Sequence, residues 1–157
     1  AVGKTQMYVS RVLGIPSHRV VCKTKRMGGG FGGKETRNFF MTCAVAVAAN
    51  KLNRPVHLFL DRDTDMKISG QRHPFLAKYR AKCLPSGIIE ALQVQVYHNM
   101  GWSLDLSLPI LDRCLFHIDN TYHIENARFK GKMCYTNTSS NTAFRGFGGP
   151  QGMMICE

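Results

Sequence analysis

Residues 26–37 read RMGGGFGGKETR, with glycines at 28, 29, 30, 32 and 33 set around Phe31. Glycine accepts positive φ and lets the backbone approach closely, so such a run marks a tight loop whose N–H groups can line up toward an anionic ligand. Upstream, RVVCKTKRM (19–27) predicts a β-rich segment. Downstream, ETRNFFMTCAVAVAANK (35–51) sets Phe39, Phe40, Cys43, Ala44, Val47 and Ala48 at helical spacing, with alanines that favour close packing. The predicted order is strand, glycine loop, helix.

Before this block, KTQMYVSRVL (4–13) gathers Met7, Val9, Val12 and Leu13 near one face of a short helix that Gly14 and Pro16 end. After it, the long helix stops before Asn53 and Pro55, and VHLFL (56–60) reads as a buried strand running into DRDTD. AKYRAKC (77–83) and IIEALQVQVY (88–97) both alternate around the Pro85-Ser86-Gly87 turn, which predicts an antiparallel hairpin with half of each strand facing a core. Strands and helices mixed without regular β-α-β repetition imply an α+β fold rather than a doubly wound sheet. Ala1 is no initiator methionine, and GPQGMMICE (149–157) reads as a helix just beginning. Residues 1–157 are therefore predicted to be part of a larger domain, cut at both ends.

Gly-Phe-Gly-Gly occurs twice, at 30–33 and 146–149, each time ahead of a predicted helix start, with Pro150 well placed in a first turn. Two such loops could hold one ligand from two sides. Three local readings of the first loop compete. Gly28, Gly33 and Lys34 have phosphate-loop spacing, but Glu35 stands where a hydroxyl should meet Mg²⁺, and its charge would repel a triphosphate. Gly28, Gly30 and Gly33 spell a dinucleotide fingerprint, but Asp61 lies too far downstream for the ribose-binding acid and the preceding segment is too cationic for a central parallel strand. A plain glycine turn without ligand is the third.

The net charge is +11, from 21 Lys and Arg against 10 acidic residues. Nucleic acid, an anionic membrane, an anionic cofactor, or an acidic part of the same polypeptide could each answer it. The cations are scattered, grouping only at Lys23, Lys25, Arg26 and at Lys78, Arg80, Lys82, without an aromatic-plus-basic recognition motif, which argues against nucleic acid. Cys22, Cys43, Cys83, Cys114, Cys134 and Cys156 form no C-x-x-C pair, so neither a zinc site nor a disulfide scaffold is indicated. No run reaches the ~18 apolar residues of a membrane span.

Taken in order, RMGGGFGGKETR, RPVHLFLDRDTDM (54–66), GQRHPFLAKY (70–79) and above all SNTAFRGFGGPQG (140–152) resemble the xanthine dehydrogenases of the molybdenum hydroxylase family, with the aldehyde oxidases as the nearest alternative. The resemblance runs over essentially the whole chain. It implies an internal piece of an oxidoreductase carrying molybdenum-molybdopterin, with 2Fe-2S clusters and FAD elsewhere in the polypeptide and electrons passing to NAD⁺ or O₂. It further implies hypoxanthine and xanthine as substrates, a homodimer in the cytoplasm or peroxisome, and no partner of nucleic acid or membrane. A piece of this size is expected to be inactive alone, since the family's general-base glutamate lies outside it.

On these residues the resemblance places cofactor contacts at Phe31, Gly32 and Arg145, with the backbone of Phe31 and Arg145 meeting ligands of the metal. Glu35 and Arg113 correspond to the polar pair that holds a purine edge, and Phe147 to a ring stacked on its face. The chemistry suits those roles: carboxylate and guanidinium together match an oxo-purine, and the guanidinium stabilises negative charge building on the ring. Aldehyde oxidases generally carry apolar residues at the Glu35 and Arg113 positions. Ordinary roles compete, with Glu35 at a helix N-terminus, Arg113 paired to Asp112 or Asp119, and Phe31 or Phe147 as core anchors. SLDLSLPILDRCLFH (103–117) lies on a variable part of the pocket wall. A non-catalytic anion-binding domain is the alternative from a different functional class.

Overall fold

The periodic segment at the start forms α1 (Val2–Leu13), closed by Gly14 at φ 66, a left-handed cap that a residue with a Cβ adopts only at a cost. The alanine-rich segment forms α2 (Phe39–Leu52), ended as predicted at Asn53, also left-handed with φ 50. These helices pack through Tyr8 and Phe39, ring centroids 4.6 Å apart. A third helix, α3 (Arg62–Ile68), begins where the sequence showed only a charged strand end. Asp61 caps it, its Oδ1 accepting from the Thr64 N–H at 2.8 Å.

The computed structural model describes residues 1–157, which form two units, Ala1–Gly70 and Gln71–Glu157. Two strands predicted in the first unit are absent: 19–27 starts on a short 3-10 turn, and neither it nor 56–60 pairs with a neighbour. A strand needs a neighbour to take its N–H and C=O groups, and this unit supplies none. Val21 and Phe59 face outward, 75% and 79% exposed, while Val20, Val56 and Leu60 are half-buried.

In the second unit the predicted hairpin forms as β1 (Phe75–Cys83) and β2 (Ile89–Gly101), antiparallel, turning where Gly87 at φ 87 donates to the Leu84 carbonyl. Burial alternates along β2 through Val94, Val96, His98 and Met100. It reaches only Phe75 and Ala77 on β1, whose remaining residues are exposed, so half of that strand does not meet a core. From β2 the chain passes through α4 (Ser107–Leu115) into β3 (Asn126–Tyr135), which runs parallel to β2 and gives sheet order β1-β2-β3. The α+β reading holds, with one β-α-β crossover inside it. Leu111 of α4 sits directly on Gly131, where an added Cβ would come within 2.7 Å of its Cδ1. Val94, Val96, Leu111, Cys114 and Ile118 form the centre of this core. The chain ends in α5 (Gly149–Cys156), with Pro150 in its first turn as predicted.

Candidate functional site

The two Gly-Phe-Gly-Gly segments adopt the same backbone. Phe31 and Gly32 have φ 46 and 98, and Phe147 and Gly148 have φ 49 and 92. Gly33 N–H donates to the Gly30 carbonyl at 2.8 Å, and Gly149 N–H to the Gly146 carbonyl at 3.0 Å. Positive φ at both central residues, closed by that bond, defines a type I′ turn. A phenylalanine in the left-handed region is strained, so its recurrence at the same place in both turns marks a shape the chain holds at a cost.

In the first unit Phe31 is no core anchor. Its ring is 63% exposed and lies over Gly29, where a Cβ would come within 2.3 Å of Phe31 Cε2. Gly32 follows it in the turn, and its carbonyl accepts the N–H of Glu35. Glu35 is not in the first turn of a helix, because α2 begins only at Phe39. Its partly exposed carboxylate meets Lys4 Nζ at a loose 3.9 Å, a pair that constrains it little. Arg37 ties this loop to the end of α3, donating to the carbonyls of Ile68 and Ser69.

In the second unit, Arg145 precedes a turn packed against α4. Gly148 leaves no room for a side chain, since a Cβ there would stand 2.1 Å from the Ile110 carbonyl oxygen. Gly152 is equally confined, since a Cβ there would stand 2.2 Å from the Cys114 carbonyl oxygen. Arg113 is exposed in the last turn of α4 and forms an ion pair with neither Asp112 nor Asp119, so its guanidinium is free for a ligand. Its carbonyl is bonded to His117 Nδ1 at 2.8 Å, and the His117 ring lies against Gly149. Arg113 and the second turn are thus fixed on one packed wall. Phe147 is half-buried within it. Phe31, Gly32 and Glu35 belong to the first unit, and Arg113, Arg145 and Phe147 to the second.

Several residues of this wall carried no assigned role in the sequence. Arg72 Nη2 donates to the Arg145 carbonyl at 2.6 Å, and its guanidinium carbon lies 4.5 Å from the Phe144 ring centroid. His73 is bonded through Nε2 to Ser107 Oγ at 2.6 Å, and its carbonyl accepts from Gln151 Nε2. Its ring stacks 5.7 Å from that of His98, whose two nitrogens are buried without partners. Burial pushes both imidazoles down to about 4, for His73 against the opposing pull of Asp105 and for His98 with the added repulsion of His73. Arg72 and His73 lie in GQRHPFLAKY, legible as a motif, though not as a brace for a loop more than seventy residues away.

Each loop, taken by itself, offers backbone donors suited to the oxygen or sulfur atoms of an anionic group. The N–H groups of Phe31, Gly32, Arg145 and Gly146 donate to no backbone carbonyl. No group of three or more His, Cys, Asp or Glu side chains is placed to hold a metal ion directly. An organic cofactor that brings its own metal ligands and is gripped by backbone donors is what such loops can take.

The chain belongs to the molybdopterin cofactor-binding domain family, whose description matches residues 1–157. Among its relatives, xanthine dehydrogenase 1 of Arabidopsis thaliana is 59% identical over 98% of this chain and 11% of its own length. Xanthine dehydrogenase/oxidase of Gallus gallus is 58% identical over the same shares. The chain therefore spans about a tenth of those relatives. Among solved structures, the aldehyde oxidoreductase of Desulfovibrio gigas superposes with TM-score 0.79 at 28% identity, over 97% of this chain and 16% of that one. Quinoline 2-oxidoreductase of Pseudomonas putida shares the fold, with TM-score 0.82 at 20% identity over 94% of this chain and 19% of that one. No helix is long and apolar enough to cross a membrane.

Proposed function

We propose that residues 1–157 are an internal piece of the cofactor-binding domain of a molybdenum hydroxylase that oxidises hypoxanthine to xanthine and xanthine to urate. The observation that carries the reading is the pair of matching strained turns with free N–H groups, on a chain 59% identical to a xanthine dehydrogenase. When bound, molybdenum-molybdopterin supplies an activated oxygen and accepts two electrons. The N–H groups of Phe31, Gly32 and Arg145 hold it by donating to ligands of the metal, which positions the group without adding a competing protein ligand. Glu35 and Arg113 hold the polar edge of the purine, Arg113 stabilising negative charge on the heterocycle, and Phe147 sets its plane. Iron-sulfur clusters, FAD and the general base belong to other parts of the polypeptide, and the acceptor is NAD⁺ or O₂. A homodimer in the cytoplasm or peroxisome follows from the same resemblance.

Oxidation of an aldehyde rather than a purine is the second reading, favoured by the likeness to the Desulfovibrio gigas enzyme. Glu35 and Arg113 weigh against it, because an aldehyde offers no polar edge for this carboxylate and guanidinium to hold. The test is the full-length protein, purified and analysed for molybdenum and pterin, with urate formation from xanthine followed by its absorbance. Near-stoichiometric molybdenum with urate production supports the proposal. A metal-free protein that still binds an anionic ligand would replace it with the non-catalytic reading.

A further inference from the structure

We infer that Arg72 is a positioning residue that sets the direction of a cofactor-facing N–H group in the second glycine loop. The inference rests on the function just proposed, in which that loop faces the cofactor. Phe147 N–H donates to the Phe144 carbonyl at 2.8 Å, and Gly146 has φ 94, so residues 144–147 form a type II turn leading directly into the type I′ turn. Type I and type II turns differ by a flip of the central peptide, here the one joining Arg145 to Gly146. In a planar trans peptide the C=O and the N–H point opposite ways, so whatever fixes the carbonyl fixes the N–H. Arg72 binds that carbonyl at 2.6 Å while its planar face rests on the Phe144 ring.

The loop's two free donors are therefore oriented by different means. The N–H of Arg145 is aimed by the turn itself, because its partner carbonyl on Phe144 is taken by Phe147. The N–H of Gly146 is aimed by Arg72, from a segment that is otherwise anchored: Gln71 O accepts from Thr142 N–H, and His73 bonds Ser107 and Gln151. Without Arg72 the Arg145 carbonyl loses its charged partner, and the flipped peptide would present a C=O where the site needs an N–H. A carbonyl dipole facing anionic ligands repels what an N–H attracts.

The test is made in the full-length enzyme with Arg72→Met, which keeps apolar contact with Phe144 but donates nothing, and Arg72→Lys, which restores one donor without the planar fork. Arg72→Met is expected to keep the wild-type unfolding temperature within a few degrees. It should weaken molybdenum retention during dialysis, or turnover per bound molybdenum, by about 10- to 100-fold, with a smaller change in KM, as for partners that orient a metal site from behind. Arg72→Lys should recover part of the loss, and it carries the test alone if the Met variant is insoluble. Retention and turnover per bound metal both at wild-type level in Arg72→Met would overturn the inference. So would a loss of metal that merely tracks a lower unfolding temperature, with turnover per bound metal unchanged. A wild-type enzyme without molybdenum would instead sink the proposed function itself, before any variant is compared.

Discussion

Gly148 and Gly149 are neighbours in the same turn, yet alanine at these two positions should act in opposite directions. At Gly148 the backbone has φ 92, where a side chain costs roughly 1–2 kcal/mol. Its Cβ would also stand 2.1 Å from the Ile110 carbonyl oxygen, and since that atom is backbone the loop must move off α4, an overpacking cost of about 1–3 kcal/mol. Together these reach about 2–5 kcal/mol, a large share of the 5–15 kcal/mol that holds a typical domain. At Gly149, the first residue of α5 and without positive φ, the Cβ would meet His117 Cδ2 at an ordinary 3.7 Å. Alanine restricts the unfolded chain more than glycine does, so at this uncrowded position it costs nothing and gains a fraction of the roughly 1 kcal/mol seen in helix interiors. The assay is pulse proteolysis across a urea series on the two full-length variants, with molybdenum measured per protomer. Gly148→Ala should be cleaved at markedly lower urea and be depleted in metal, and Gly148→Val more so, while Gly149→Ala matches or exceeds the wild type. Equal behaviour of the two alanine variants would refute the packing argument.

Glu35→Val with Arg113→Met should lower kcat/KM for xanthine by roughly 10- to 1000-fold, the loss of charged hydrogen bonds worth about 2–4 kcal/mol, while a benzaldehyde-type substrate holds its rate. Parallel losses for both substrates at unchanged metal content would remove these residues from purine recognition. His73 and His98 should make the second unit acid-sensitive. Their folded values lie near 4, below the ordinary 6.5, so the unfolded chain binds more protons between those limits and stability present above about 6.5 is lost as the pH falls toward 4. The loss is on the order of 3 kcal/mol for one such ring. His98→Leu should flatten the fall in denaturation midpoint between neutral pH and about 4.5, and an unchanged slope would show that other groups govern it.

Local periodicity was enough for α1, α2 and the β1–β2 hairpin, and Pro150 for the start of α5, because caps such as Gly14 and Asn53 and the Pro85-Ser86-Gly87 turn act within a few residues of the elements they bound. The repeated Gly-Phe-Gly-Gly was equally legible, since a shared conformation follows from shared local sterics. Pairing was not local. The segments at 19–27 and 56–60 have strand-like composition but no neighbour to bond, whereas β3 gains one only because the α4 crossover brings Asn126–Tyr135 beside β2. Glu35 reads as a helix-start acid in the sequence because the glycines precede a helical pattern, and turns and bends occupy residues 35–38 before α2 begins at Phe39. Arg72 and the His73–His98 stack could not be read from the chain, because their meaning lies in partners such as Arg145, Phe144 and Gln151. Sequence by itself determined which backbone shapes the loops adopt, through the torsions glycine permits; the tertiary structure alone decided what holds the Arg145–Gly146 peptide, because its carbonyl is bound by Arg72, a side chain distant in the chain and near in space.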